Sequence, residues 1–424
     1  MKLFWHLLYN IIFYPALYLI ILISPLLNEK IKSSIRDRKY LFPRLIQSLA
    51  KIDRSKKLIW FHSSSMGEFE QAKPIIEKIK SEKDVNIVVS FFSPSGYRNS
   101  LNYPHADIIT YLPFDKLSLT KKFLDILKPS IAIFMRYDIW PNMIWQLEQK
   151  NIPYFIVDAT MRSNSKRTLP IIKNFHKQLY QSAAKILTVS ENDAKNFLSF
   201  GINKNIVKAV GDTRYDRVYQ KSLQAKEKNL FKEEIFKNKK VLILGSTWES
   251  DEEVLFPAIN KLLKYNKDII VIIVPHEPTE IHLEKIENYF SEKQRTIRFS
   301  LMNNYNDENI IIVDSIGILL TLYKYADVAY VGGSFKQIHN VLEPAVYGIP
   351  VIYGPKYENS QEAIKLKEIG GGIVIQNKKE AYKTLRKLFS DESYRKSIGL
   401  ICINYVKNNI GATESIIKEI YSHL

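Results

Sequence analysis

A single cysteine, Cys402, occurs in 424 residues. That excludes a disulfide framework and a cysteine-based zinc site, and it fits a reducing compartment. The Asp-x-Asp and His-Glu-x-x-His spacings are absent near the stretches singled out below, so no metal site and no cofactor are expected. No short-period repeat, low-complexity tract or compact RNA-binding signature occurs, and nucleic acid is not an expected partner. Acidic residues are in deficit: 44 Asp and Glu stand against 61 Lys and Arg, a net charge of +17. Such a balance points to anionic membrane surfaces or acidic small molecules. The hydrophobic share of 46% supplies ample core. At about 150 residues per domain the length suggests two or three domains.

One long apolar run stands out. From Leu3 to Leu27 the polar residues are His6, Asn10 and Ser24. About 20 apolar residues cross a bilayer, so the run is long enough. A signal peptide needs a small-residue cleavage site, which Ser24-Pro25-Leu26-Leu27 does not offer. A retained anchor is expected, either crossing the bilayer or lying in its interface, with Pro15 as a place to kink. Only Lys2 precedes the run, whereas Lys30, Lys32, Arg36, Arg38, Lys39 and Arg44 follow it. The positive-inside rule then holds the body at the cytoplasmic leaflet, against anionic lipid.

Beyond the anchor, short unbroken apolar runs alternate with amphipathic stretches, the mark of parallel sheets buried on both faces. Strands are expected at Leu58–Phe61, Asn86–Phe92, Ile131–Met135, Tyr154–Val157, Ile186–Val189 and Ile206–Val210. A second series follows at Val241–Leu244, Ile269–Val274, Ile310–Val313, Val328–Val331, Pro350–Tyr353 and Gly372–Ile375. Between the series, Tyr219 to Lys240 shifts toward Lys, Glu and Gln and reads as a linker. The expected organisation is an anchor over 1–28, an α/β domain over 29–218 and another over 219–424. Two such domains facing a cleft would bind a small ligand there.

The stretch His62-Ser63-Ser64-Ser65-Met66-Gly67-Glu68 joins a strand to a helix and puts a carboxylate at the end of the turn. Ligands of parallel α/β sheets bind outside the carboxyl ends of the strands. A helix N-terminus favours negative charge, so Glu68 is expected to be ionised and able to accept a proton. Ser65-Met66-Gly67-Glu68 is also an S-x-x-E capping box, which closes a helix start without any chemistry. In the second half, Gly245-Ser246-Thr247 is either a phosphate-holding turn or a simple cap. Pro275-His276 and Asp314-Ser315-Ile316-Gly317 follow strands in the same way. Gly332-Gly333-Ser334, then His339-Asn340-Val341-Leu342-Glu343-Pro344-Ala345, then Gly348-Ile349-Pro350 is the more specific signal. Two glycines let backbone approach a ligand, and a helix beginning near Asn340 would place Glu343 to accept from ribose hydroxyls, as in a nucleotide-sugar site.

These motifs, together with Trp140-Pro141-Asn142 and Gly211-Asp212-Thr213-Arg214-Tyr215-Asp216, resemble the 3-deoxy-D-manno-octulosonic acid (Kdo) transferases of lipopolysaccharide assembly over nearly the whole chain. The resemblance implies an α/β, GT-B fold of two Rossmann-like domains plus an N-terminal membrane-anchor helix at the inner membrane. It implies inverting transfer of Kdo from a CMP-Kdo donor to the lipid A precursor, lipid IVA. By the same resemblance Glu68 is the general base. Pro275, His276, Ile316, Gly317, Ile318, Asn340, Val341, Leu342 and Glu343 contact the cytidine nucleotide. Arg214 stands where the family carries a transition-state Lys. At Arg136 the family usually has an acid, so the charge is inverted and Arg136 becomes a candidate for holding a donor or acceptor anion. The loop from Ser334 to Asn340 lacks the family's Gly-Gly before His. Two rival readings remain: a GT-B transferase using a UDP-sugar, and a tethered two-domain solute-binding protein without catalysis.

Overall fold

The computed structural model describes residues 2–23 and 29–424. Ser24-Pro25-Leu26-Leu27, on which the cleavage-site argument turned, lies outside the described residues. Two compact units are present. The first comprises Met1–Arg217 together with Ile410–Leu424, and the second Val218–Asn409.

The first unit holds a parallel sheet of β1 (Leu58–Ser63), β2 (Asn86–Phe91), β3 (Ile108–Tyr111), β4 (Ile131–Met135), β5 (Tyr154–Ala159), β6 (Lys185–Thr188) and β7 (Val207–Ala209). Their order across the sheet is β3-β2-β1-β4-β5-β6-β7. The order reverses between β1 and β4, where Ile59 lies beside Ile87 on one flank and Ile131 on the other. A topological switch point of this kind opens a crevice at the strand ends. Glu68 lies in the first turn of the helix after β1, and Arg136 directly follows β4.

Alternation of side chains splits the core into two layers. Trp60, Phe134 and Ile156 point to one face. Ile59, Phe61, Ile133 and Phe155 point to the other, where they meet Ile416, Ile417 and Ile420. The last helix, Ala412–Tyr421, therefore completes the core of the first unit, although sequence order assigns it to the second domain.

The second unit repeats the plan with β8 (Lys240–Thr247), β9 (Ile269–Pro275), β10 (Thr296–Arg298), β11 (Ile310–Ile312), β12 (Val328–Val331), β13 (Val351–Tyr353) and β14 (Gly372–Val374). The order is β10-β11-β9-β8-β12-β13-β14, all parallel, so the switch point falls between β8 and β12. Gly245-Ser246-Thr247 and Gly332-Gly333-Ser334 sit at those two strand ends.

Two departures from the sequence reading have clear causes. Strands β3 and β10 were not expected; both are short, both lie at sheet edges, and both mix polar with apolar residues. The segment read as a linker begins instead as helix, because Thr213–Lys226 runs unbroken and the unit boundary falls inside it. Its buried residues Tyr215, Val218, Ser222 and Ala225 recur at helical spacing, and the Lys- and Gln-rich composition belongs to the outer face.

The N-terminal residues form a helical run, Lys2–Leu8, a π-turn over Tyr9–Phe13, and Tyr14–Ile23. Lys2–Ile20 is long and apolar enough to cross a membrane.

Candidate active site

In the first unit the helix Met66–Glu82 starts directly after β1. Ser65 is its N-cap, and its hydroxyl accepts the Glu68 N–H at 3.4 Å. The reciprocal half of the capping box is displaced by one residue: Glu68 Oε2 accepts from the backbone N–H of Ser64 at 2.6 Å. The serine caps, while the carboxylate is tied to the β1 end.

That end carries a polar chain that sequence reasoning missed. Trp60 Nε1–H donates to Ser90 Oγ at 2.8 Å, and Ser90 Oγ lies 2.9 Å from Nδ1 of the buried His62. His62 Nε2 lies 3.1 Å from Asp138 Oδ2, which also accepts from the Ser64 hydroxyl. Ser64 thus joins two carboxylates, Glu68 through its amide and Asp138 through its hydroxyl. Burial alone would raise the Asp138 carboxyl, but the hydrogen bond and field of His62, with the Ser64 hydroxyl, outweigh it and hold the group below the usual range. For Glu68 burial wins. Helped by the charge of Asp138, it pushes the carboxyl up against the Ser64 N–H, His62 and Arg136. The helix terminus does not set this balance alone, and the result is a stronger base than an exposed glutamate.

Arg136 follows β4 in the left-handed region, φ 62°. Its own N–H donates to Val157 O at 2.7 Å. Its Nε is buried and finds no acceptor among the described residues. Its charge reaches Glu68. A left-handed backbone carrying a guanidinium whose buried Nε is unmatched, within electrostatic reach of a carboxylate, is the kind of arrangement found where a ligand completes the contacts.

Arg214 lies differently. Its Nε donates to Asp212 Oδ2 at 2.9 Å and its Nη2 at 2.6 Å, so part of its charge is matched. Asp216 takes another route, accepting from the Gly411 and Thr413 backbone at 2.6 and 2.7 Å. Next to Arg214, Thr213 donates to the buried Asp158, whose carboxyl is pushed up by burial and by Asp212. Gln71, one turn along the Glu68 helix, reaches Asp212 Oδ1 at 3.4 Å and accepts the Thr213 hydroxyl on its carbonyl at 2.9 Å. Through Asp212 and Thr213, Arg214 is tied to the same helix that carries Glu68 in its first turn.

In the second unit His276 follows β9, and its N–H donates to Thr247 O at 2.9 Å. Its ring lies 4.6 Å from Trp248 and 4.4 Å from His339, stacked on both. Trp248 Nε1–H donates to His339 Nε2 at 3.1 Å, so His339 carries its proton on Nδ1. Burial and the neighbouring His276 lower the His339 imidazole and keep it neutral. Two hydrogen-bonded rings form a floor, and His276, exposed to solvent, lies on it. Trp248 and His339 were not among the expected contacts, although Trp248 directly follows β8 and His339 opens the His339-Asn340 motif.

Asn340 Oδ1 accepts the Leu342 N–H at 3.1 Å and its Nδ2 donates to Glu343 Oε1 at 3.3 Å. The helix there is a single turn, Leu342–Ala345, beginning after Val341. Burial pushes the Glu343 carboxyl up. Ile316 is exposed, Gly317 adopts φ 82°, and Ile318 precedes the short helix Leu319–Leu322.

The space beside the glycine pair is filled by the protein's own backbone. A Cβ on Gly332 would meet Ser246 O at 2.1 Å, and one on Gly333, at φ 76°, would meet Gln337 O at 2.3 Å. The Gly333 N–H is also taken, donating to Asp251 Oδ2 at 2.8 Å. Asp251 further accepts from Trp248 N–H at 2.9 Å and Tyr330 OH at 2.7 Å. The turn at Gly245-Ser246-Thr247 is likewise internally bonded, with Thr247 Oγ1 donating to Glu252 at 2.8 Å. Among the described residues no group of three or more His, Cys, Asp or Glu could hold a metal ion.

Residues 38–217 match the model of the 3-deoxy-D-manno-octulosonic-acid transferase (kdotransferase) family. A bifunctional glycosyltransferase/methyltransferase of Fusobacterium nucleatum is 28% identical over 407 residues, covering 91% of this chain and 61% of that protein, so the chain spans about three-fifths of that relative's length. The 3-deoxy-D-manno-octulosonic acid transferase of Haemophilus influenzae is 26% identical over 378 residues, covering 86% of this chain and 87% of the relative. In fold, the UDP-GlcNAc 2-epimerase from Neisseria meningitidis, solved with UDP-GlcNAc bound, gives a TM-score of 0.60 at 14% identity, over 86% of this chain and 100% of that one. The chain is thus similar to Kdo transferases over most of its length, residues 38–217 match that family's model, and its two parallel-sheet units are the α/β units of a GT-B protein.

Proposed function

We propose that the chain transfers Kdo from CMP-Kdo to the lipid A precursor, lipid IVA, with inversion, as a step of lipopolysaccharide assembly at the cytoplasmic face of the inner membrane. The observation that carries this reading is Glu68: a carboxylate at a switch point, pushed up by burial, fixed by Ser64 and adjoined by Arg136. In this reading Glu68 takes the proton of an acceptor hydroxyl as its oxygen bonds to the anomeric carbon of Kdo. The bond from that carbon to the phosphate oxygen breaks on the opposite side, and CMP departs. Arg136, whose Nε lacks an acceptor among the described residues, holds the donor carboxylate or an acceptor phosphate. Arg214, shared with Asp212, adds less charge than an unpaired cation would.

The second unit is the donor domain in this reading. Pro275, His276, Ile316 to Ile318 and Asn340 to Glu343 are its nucleotide contacts. The exposed ring of His276, braced from behind by Trp248 and His339, supports a stacked base. The N-terminal helix keeps the enzyme beside its lipid acceptor.

The test is direct. Detergent-solubilised protein is incubated with CMP-Kdo and lipid IVA while CMP release and product mass are followed. Wild type is expected to transfer, and Glu68→Gln, which keeps the Ser64 contact, is expected to lose about 10²–10⁴-fold in rate while still binding CMP. No transfer from CMP-Kdo, with turnover of a UDP-sugar instead, would overturn the donor assignment. Full activity in Glu68→Gln would leave that residue as a cap.

A further inference from the structure

The N-terminal helix is bound to the body of the first unit along its side. Tyr9 OH donates to Asp115 Oδ2 at 2.9 Å. Asn10 and Asn142 exchange amide hydrogen bonds, each 2.9 Å. Lys2 pairs with Glu148. These contacts span residues 2 to 10, about 12 Å of helix at 1.5 Å per residue. Trp5 and Tyr9 pack on Phe175 at 5.4 and 6.2 Å. The opposite side is apolar and bare: Leu3, Phe4, Ile11, Ile12 and Phe13 each expose more than half of their surface. A helix fastened in this way runs along the protein, so the lipid that covers its bare side also meets what lies next to it.

What lies next to it is the helix Pro170–Tyr180, which carries Phe175. One turn before Phe175, on the same face, stand Ile171 and Ile172, 77% and 41% exposed, and Leu169 just ahead of the helix is 52% exposed. Three large aliphatic side chains around Pro170 at the start of a helix thus leave 41–77% of their surface open. The charge around them is one-sided: from Ala159 to Ser190 there are six Lys and Arg and no Asp or Glu. Lys166, Lys173 and Lys177 make no ion pair among the described residues. An exposed aliphatic helix start flanked in sequence by lysines without ion pairs, on a helix that packs on the apolar N-terminal helix through Phe175, matches the chemistry of an anionic lipid leaflet, with alkyl groups for the acyl region and cations for the headgroups.

We infer that the segment Leu169–Lys177 is a second membrane contact, which enters the same leaflet as the N-terminal helix and fixes how the first unit is oriented on the bilayer. The inference rests on the membrane reading above and goes beyond it. The N-terminal helix alone, fastened along its side, would leave the body free to roll about the helix axis, whereas two contacts side by side hold it in one orientation.

The native thiol, Cys402, is buried, so single cysteines placed elsewhere can be labelled selectively. Nitroxides are attached to the full chain at Ile171→Cys, at Ile11→Cys on the N-terminal helix, and at Leu400→Cys, an exposed site in the second unit. The proteins are bound to vesicles of phosphatidylethanolamine and phosphatidylglycerol. Relaxation by oxygen, which concentrates in lipid, is compared with relaxation by a water-soluble nickel chelate. The expected result is a several-fold higher oxygen-to-nickel ratio at positions 11 and 171 than at 400. A label at 171 that matches 400 while 11 stays immersed would overturn the second contact and leave the tether intact. Labels at 11 and 171 that both match 400 would overturn the membrane reading as well.

Discussion

At the residue scale the chemistry turns on how Glu68 is tuned. Three groups act on its carboxyl besides burial and the Ser64 amide: Asp138 pushes it up, and Arg136 and His62 pull it down. A general base works only when ionised, so kcat/KM should rise with pH through the pKa of Glu68. Asp138→Asn removes a nearby negative charge but keeps an oxygen for His62 and Ser64. The base then ionises more easily, and the acid limb is expected to move to lower pH by about one unit. Arg136→Met removes a positive charge, and the limb is expected to move by a similar amount to higher pH. Measured pH profiles of kcat/KM for wild type and both variants check this. A shift of both in the same direction would mean that the limb belongs to another group. Glu68 itself was legible in the sequence, because a strand, a turn and an S-x-x-E pattern are local. Its partners were not, since His62, Ser90 and Asp138 meet only when β1, β2 and β4 are laid side by side.

Among elements, the loop after β12 gives the sharpest contrast between motif and cause. Gly332-Gly333 reads as a ligand-approach signal, yet the space a side chain would need is filled by the protein's own backbone at Ser246 and Gln337. Gly332→Ala would force its Cβ into Ser246 O, and Gly333→Ala would add a left-handed cost of about 1–2 kcal/mol. Either change should push apart the ends of β8 and β12, with the Asp251 contacts that tie them. The expected outcome is a second unit that melts several degrees lower and binds CMP more weakly, read by calorimetry and by titration. Retained stability with lost CMP binding would instead mean that the glycines face the ligand. Elements were legible where an apolar run forms the strand: β4, β9 and β12 are apolar throughout, and β1, β2, β5 and β8 each hold three or more consecutive apolar residues. They were obscure at the sheet edges, where β3 and β10 carry Thr110, Thr296 and Arg298 and lose the pattern. The helix Thr213–Lys226 hid for a related reason, since its buried stripe is narrow and its polar face dominates the composition.

For the whole molecule, chain order and unit membership part company at the C-terminus. The chain leaves the first unit at Arg217 and re-enters it at Ile410. Nothing local announces the return, because Ile416, Ile417 and Ile420 form an ordinary amphipathic stripe that could cover either sheet. In the structure they are buried with Ile59, Phe61 and Phe155 of the first sheet. Asp216 adds a polar tie to Gly411 and Thr413, and Tyr421 OH donates to Glu82 at 2.8 Å. Full burial of one isoleucine contributes about 1.5–3 kcal/mol, so three contribute about 5–9 kcal/mol. That is comparable to the whole stability of a domain, about 5–15 kcal/mol. A fragment of residues 1–217 in detergent should therefore fail to give a cooperative thermal transition. The same fragment with residues 410–424 joined by a flexible linker should recover one, and Ile416→Asp/Ile420→Asp in that fusion should abolish it again. Thermal unfolding followed by circular dichroism compares the three. A cooperative transition in the 1–217 fragment alone would mean that the first sheet does not need the returning helix. The expected failure would make the first unit a product of both ends of the chain, so that its core closes only after the second unit has been traversed.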